Sequence, residues 1–411
     1  MTILIKNIAA IFNIRTENKL LRGKDLAVLP MIENAFMLIE DDCIADFGSM
    51  DDINSITFPE NIIDATGQFI LPAWCDSHTH IVFAGSRENE FVDKINGLTY
   101  AEIAAKGGGI LNSARKLNDV TEDQLFNEAW KRLTELASLG TGAIEIKSGY
   151  GLTVASELKM LRVIKKLKEK SSLQIKSTFL GAHTYPIAYK ENHEEYIHEI
   201  INEMLPVIAG EKLADYIDVF CESGFFSPEE MTKICNAGKA LGLKPKLHIN
   251  QLNSIGGMQS AIAMNAISVD HLETMTEKDI VDLAASNTIG TLLPTAAYFL
   301  RMPFQPARKL IDAGCAIALA SDFNPGSSPS GNMNTVVSMS CIQMKMLPEE
   351  AINAATINGA FAMEVEHETG SIMKGKKANL IFTKPIPSIT YMPYAFGSNH
   401  IEKVMINGMI I

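Results

Sequence analysis

Two histidines separated by one residue, His78 and His80, close the apolar run that begins at Leu71. Residues i and i+2 of a β-strand share a face, so the two imidazoles project together. A pair of imidazoles on one face is half a site for a borderline-soft cation, and the other half must come from elsewhere in the chain. Ionisable side chains recur at the ends of later apolar runs: Glu145 and Lys147, His183, Glu222, His248 with Gln251 close behind, His271 and Asp322. Five of the nine histidines fall at such ends. His193, His198, His367 and His400 sit in polar segments and read as surface residues. His78, His80, His248 and Asp322 together make a three-histidine, one-carboxylate set suited to one zinc or iron ion per subunit. A catalytic ion of this kind keeps a position for water, whose pKa it lowers toward about 7.

Such a set requires elements that bring distant strand ends to one place. Apolar runs at 73–80, 141–147, 173–183, 216–222, 244–250, 268–271, 288–293 and 316–322 alternate with amphipathic segments such as 121–139, 156–169 and 228–241. Eight strands apolar enough to be buried on both faces predict a parallel sheet closed into a (β/α)8 TIM-type barrel, over residues 67–366. The active face of such a barrel lies at the C-terminal ends of its strands, where the ionisable residues fall. A doubly wound sheet would need a glycine-rich phosphate turn after its first strand. Gly107-Gly108-Gly109 lacks that spacing and reads as a flexible loop. Short strands at both ends of the chain, closing on a Val404–Ile411 hairpin with an Asn-Gly turn, predict a small β-sandwich domain from residues 1–66 and 367–411.

Composition narrows the classes of function. A net charge of −12 repels phosphate backbones, so no nucleic-acid partner is expected. The six cysteines are widely spaced without a CxxC, which fits reduced thiols rather than a disulfide framework. No run of about 18 apolar residues is present to cross a membrane, and Met1–Asn7 lacks a basic segment leading into an apolar core. A cytoplasmic protein acting on a small molecule, away from membranes, is the expectation.

The His78-Thr79-His80 pair, a lone histidine after the fifth strand and Ser321-Asp322 after the eighth resemble the amidohydrolase superfamily, whose C-terminal sheet return is similar to Gly370–Leu380. Pro72–His80, Phe83–Arg87, Lys106–Ile110, Glu145–Leu152, Thr178–His183 and Ala320–Ser328 resemble, more narrowly, its branch acting in histidine degradation. The HxH pair is shared across the superfamily, whereas KSGYGL and SDFNPGS are specific to that branch. The resemblance implies a metal-dependent barrel, a homodimer, and hydrolysis of the cyclic amide 4-imidazolone-5-propanoate to N-formimidoyl-L-glutamate.

Residue types fit that chemistry. The propionate tail calls for a guanidinium fork, and Arg87 in the first loop supplies one. Tyr150 between glycines can stack on or hydrogen-bond a flat ring. Asp322 is expected to take a proton from water and return it to the leaving nitrogen. His271 is expected to bond the water or the tetrahedral centre, and His183 to hold the carbonyl oxygen. Gln251 would bond a ring nitrogen, with Asn324, Gly326 and Ser327 lining the pocket. The alternative is a metal-dependent deaminase of a heterocyclic ring. Barrel deaminases place an acid three residues after the fifth-strand histidine, where this chain has Gln251, which exchanges no proton at neutral pH. Lys147 raises a carbamylated, two-metal site, but its place in KSGYGL favours a single ion. A barrel used only as a scaffold would not keep all four ligand positions filled.

Overall fold

The computed structural model describes residues 1–98, 102, 106 and 108–411. Gly107, in the glycine run read as a flexible loop, lies outside the described residues. The strands in chain order are β1 (Thr2–Phe12), β2 (Met31–Glu40), β3 (Cys43–Ser49), β4 (Asn61–Asp64), β5 (Phe69–Pro72), β6 (Trp74–Thr79), β7 (Thr141–Lys147) and β8 (Gln174–Ala182). They continue with β9 (Tyr216–Cys221), β10 (Lys244–Ile249), β11 (Ser268–His271), β12 (Ile289–Leu292), β13 (Ile317–Leu319), β14 (Leu380–Thr383), β15 (Ile401–Ile406) and β16 (Met409–Ile410).

β6 to β13 form the expected eight-stranded barrel, every pair parallel and sequential. Closure between last and first strands is made at the active face. Asp322 N–H donates to His78 O at 3.0 Å and His80 N–H to Phe323 O at 2.9 Å. The buried Asp76 carboxylate then accepts Ser321 N–H at 2.9 Å and Ser321 Oγ–H at 2.6 Å. Closing the ring therefore sets His78, His80 and Asp322 side by side. The connecting helices are well specified locally. Thr121 and Ser227 each form a capping box, with Gln124 and Glu230 respectively, satisfying helix-start N–H groups.

The terminal strands form one mixed sheet ordered β16-β15-β14-β5-β1-β2-β3, with β4 paired to β1. This sheet runs on through β5, past the boundary expected after residue 66. Period-two alternation divides its side chains between two cores. Ile70, Leu380, Phe382 and Met405 join Ile3, Ile5, Met37 and Ile39 in the sheet's own core. Their neighbours Leu71, Ile381, Val404 and Ile406 pack into the barrel's outer core instead. The closing hairpin turns through Asn407 (φ 49°) and Gly408 (φ 75°), both left-handed as a two-residue Asn-Gly turn requires. All six cysteines are free.

Candidate active site at the barrel mouth

Two of the imidazoles at the mouth are oriented by carboxylates from other strands. His78 Nδ1 lies 2.7 Å from Asp270 Oδ2, and His248 Nδ1 lies 2.8 Å from Asp218 Oδ2. Asp218 also accepts the His248 backbone N–H at 3.0 Å. Burial, reinforced by the cations and imidazoles nearby, holds both histidines well below their ordinary pKa, so the rings are neutral. With Nδ1–H donated to a carboxylate, each Nε2 carries a lone pair.

The His78 lone pair faces two further candidate ligand atoms. His78 Nε2 is 3.3 Å from His80 Nε2, and both are 3.5 Å from Asp322 Oδ1. Asp322 is held as a carboxylate: burial works against ionisation, but His80 and His271 outweigh it. His78, His80 and Asp322 thus form one group of converging ligand atoms, and His78, His248 and His271 a second that shares His78. Ligand atoms drawn together in a buried site fit a cation between them, and the carboxylates behind His78 and His248 are the usual support of a metal-binding histidine. The donor set fits a metal ion.

His271 terminates β11 with φ 90°, a conformation that costs about 1–3 kcal/mol for a side chain with a Cβ. Its Nδ1 lies 3.4 Å from Glu273 Oε1, which also accepts from Gln305 at 3.0 Å. Burial lowers the ring's pKa, but Glu273 and then Asp322 overcome it and push it up to about 9. His183 behaves oppositely. Burial and His80 push it down to about 3, and its Nδ1–H donates to Gly149 O at 3.0 Å. The neutral ring then offers an acceptor at Nε2. That disfavours the expected hold on a carbonyl oxygen, which needs a donor.

A cavity of about 550 Å³ lies over this cluster, lined by Arg87, Tyr150, His183, Gln251, Asn324, Gly326 and Ser327, the full expected substrate set. Tyr150 and His183 form the side nearest the ligands, with ring centroids 5.9 and 5.7 Å from that of His80. The loops carrying these residues are fixed by carboxylates the sequence reading assigned no such role. Glu157 accepts the N–H groups of Gly149, Gly151 and Leu152 at 2.7–3.1 Å, so KSGYGL wraps around one buried acid. Glu222 does the same for Gln251, Leu252 and Asn253 at 2.6–3.0 Å. Asn324 spends its side chain inside its own loop, bonding Gly326 N–H, Ser327 N–H and Asp322 O. Ser327 Oγ–H donates to Asp322 Oδ2 at 3.2 Å.

Arg87 departs from expectation in one respect. Its Nε and Nη2 both donate to Glu90 Oε2, at 2.8 and 2.6 Å, so one edge of the fork is already engaged. Nη1 sits against Gly326, where a Cβ would overlap it. Lys94, absent from the sequence reading, lines the same cavity with Nζ 3.2 Å from Gly326 O. A lysine one and a half turns along an exposed-looking helix carries no signal by itself; only the fold turns it toward Arg87's cavity.

The chain belongs to the amidohydrolase family, whose profile matches residues 69–411. Over its whole length it is 61% identical to the imidazolonepropionase of Flavobacterium johnsoniae, and 56% identical to that of Christiangramia forsetii, covering 100% of each. Its place within the family is therefore among the imidazolonepropionases. The fold is shared more widely. A triazine hydrolase variant superposes with a TM-score of 0.76 at 13% identity, covering 100% of this chain and 94% of that one. An adenosine deaminase from Xanthomonas campestris, solved with bound zinc, gives 0.72 at 15% identity, covering 99% and 92%.

Proposed function

We propose that this protein hydrolyses 4-imidazolone-5-propanoate to N-formimidoyl-L-glutamate, using one zinc or iron ion per subunit. The observation that carries the reading is one cavity with a metal-fitting cluster on one side and a half-buried guanidinium on the other. A reactive carbonyl and a carboxylate tail on one small ring need that pairing. The relatives' name supports the substrate.

His78, His80, His248 and Asp322 would hold the ion, which supplies Lewis acidity and lowers the pKa of water. Asp322, ionised and steadied by Ser327, takes the proton of the attacking water and later delivers it to the leaving ring nitrogen. His271, protonated against Glu273, donates to the oxygen on which negative charge develops. His183 accepts from a ring N–H, and Gln251 bonds the other ring nitrogen. Arg87 and Lys94 take the propionate, and Tyr150 packs on the ring. The new C–O bond forms as the amide C–N bond breaks, leaving a second carboxylate and a formimidoyl amine. Gln251 offers no carboxylic acid for deamination. The reading includes a cytoplasmic location and, from family resemblance, a homodimer.

Incubation of metal-loaded protein with the imidazolone propionate tests it, with ring absorbance and chromatography as readouts. Loss of the ring with formimidoyl glutamate as product is expected. Release of ammonia from an intact ring, or no turnover, overturns it.

A further inference from the structure

Under the candidate ligands lies a fully buried cluster of charges that the reaction does not use. Lys147, from β7, places Nζ 2.7 Å from Glu145 Oε1, 2.9 Å from Asp218 Oδ2 and 3.5 Å from Asp270 Oδ2. The two aspartate oxygens are the same ones that receive the Nδ1–H groups of His248 and His78. One ammonium therefore faces both orienting contacts, although the imidazoles come from different strands, β10 and β6. A second buried ammonium, Lys246, pairs with Glu145 Oε2 at 3.0 Å and donates to Ser268 Oγ at 3.1 Å and Ala362 O at 2.7 Å. Ser268 in turn donates to the other oxygen of Asp270, Oδ1, at 2.6 Å. Lys246 thus makes no direct bond to either ligand support, acting on Asp270 through its charge and through Ser268.

We propose that Lys147 is a positioning residue for the metal ligands, bridging Asp218 and Asp270 so that His248 and His78 present Nε2 to the ion as one unit. Two physical effects follow from the contact. Carboxylates sharing one ammonium cannot rotate independently, so the two imidazoles keep a common aim. The ammonium also favours the ionised form of both aspartates, so each remains an acceptor for an Nδ1–H and the lone pair stays on Nε2. A carbamylated Lys147 would instead set an anion against three carboxylates in a buried site, a strongly unfavourable arrangement. This answers what the lysine of KSGYGL is for. The inference rests on the metal site of the proposed function.

The test compares Lys147→Met with Lys246→Met, both removing a buried ammonium that pairs with Glu145. Zinc affinity is read by competition with a chromogenic chelator. Lys147→Met should bind zinc at least about tenfold more weakly, the scale on which outer-shell partners act, and Lys246→Met within about threefold of wild type. In metal-free protein, nitrogen NMR of labelled histidines should show single Nδ1–H tautomers for His78 and His248 in wild type and mixed tautomers in Lys147→Met. Should Lys147→Met fail to fold, Lys147→Met/Glu145→Gln, which removes one charge of each sign, carries the same comparison. Wild-type affinity in Lys147→Met, or equal weakening in both lysine variants, overturns the inference alone. A wild-type protein that takes up no metal overturns the metal-site reading and this inference with it.

Discussion

Arg87 shows how a single side chain divides its work. Glu90 holds the Nε–Nη2 edge in place, and the remainder of the guanidinium is presented to the cavity beside Lys94. Arg87→Ala should lose roughly 2–5 kcal/mol of substrate interaction, by analogy with a broken buried charge pair. Because the tail is remote from the scissile bond, most of that loss belongs in KM. Arg87→Lys should rescue part of it, since a point charge lacks the planar fork. An analogue without the propionate should be turned over almost equally by wild type and Arg87→Ala; continued strong discrimination for the tail would assign its binding elsewhere. Lys94→Met should raise KM in the same direction by a smaller factor. At the reactive end, His248→Ala or Asp322→Ala should abolish turnover and lower bound metal, measured by elemental analysis. Near wild-type turnover in either would refute the ligand assignment.

The loops after the strands convert barrel geometry into a pocket, and their glycines make that possible. At Gly326 the loop after β13 passes so close to Arg87 that any Cβ would displace the guanidinium. Gly326→Ala should therefore copy Arg87→Ala in raising KM, by about tenfold or more, while Tm stays near that of wild type. An unchanged KM would mean that the guanidinium moves aside without cost. The return segment before β14 carries a different kind of strain. Lys376 is buried on Thr369 O at 3.1 Å and Ser371 Oγ at 2.7 Å, and burial pushes its pKa down to about 8. Unfolded, a lysine titrates near 10.4. Between pH 8 and about 10.4 the unfolded chain holds more protons than the folded one, so this group makes stability rise with pH across that window. The stability difference between Lys376→Met and wild type, from denaturant unfolding, should accordingly shift toward wild type between pH 7 and pH 9.5. A difference independent of pH would show that Lys376 keeps its proton.

For the whole molecule, the proposed ion and the fold should be linked. Asp322 and His78 come together because β13 closes against β6, which brings His78 Nε2 and Asp322 Oδ1 to 3.5 Å. Removing metal with a chelator should lower Tm, and zinc at a hundredfold excess over Kd should restore about 2.7 kcal/mol. Calorimetry on stripped and reloaded protein measures this, and an identical Tm in both states would detach the cluster from stability. The terminal sheet is tied to the barrel, since Val404 and Ile406 on β15 are buried in the barrel's outer core while Met405 between them fills the sheet's own.

Strand ends were legible in the chain because a parallel barrel makes every strand apolar and sets chemistry at one end of each. That regularity placed His78, His80, His183, His248, His271 and Asp322 at the mouth from spacing alone. The Asn-Gly hairpin was legible for a similar reason, being an interaction between residues a few positions apart. Partnership between distant residues was not. Glu157 and Glu222 look like ordinary helix and strand acids until loops fold around them, and Lys94 looks like a surface lysine until its helix turns it toward Arg87. Asp218, Asp270 and Lys147 lie on three different strands, and their meeting depends on the register of the closed barrel. Short-range pattern determines which elements form and which end of each carries the chemistry. Only closure in three dimensions decides which charge meets which, and hence which proton sits on which nitrogen.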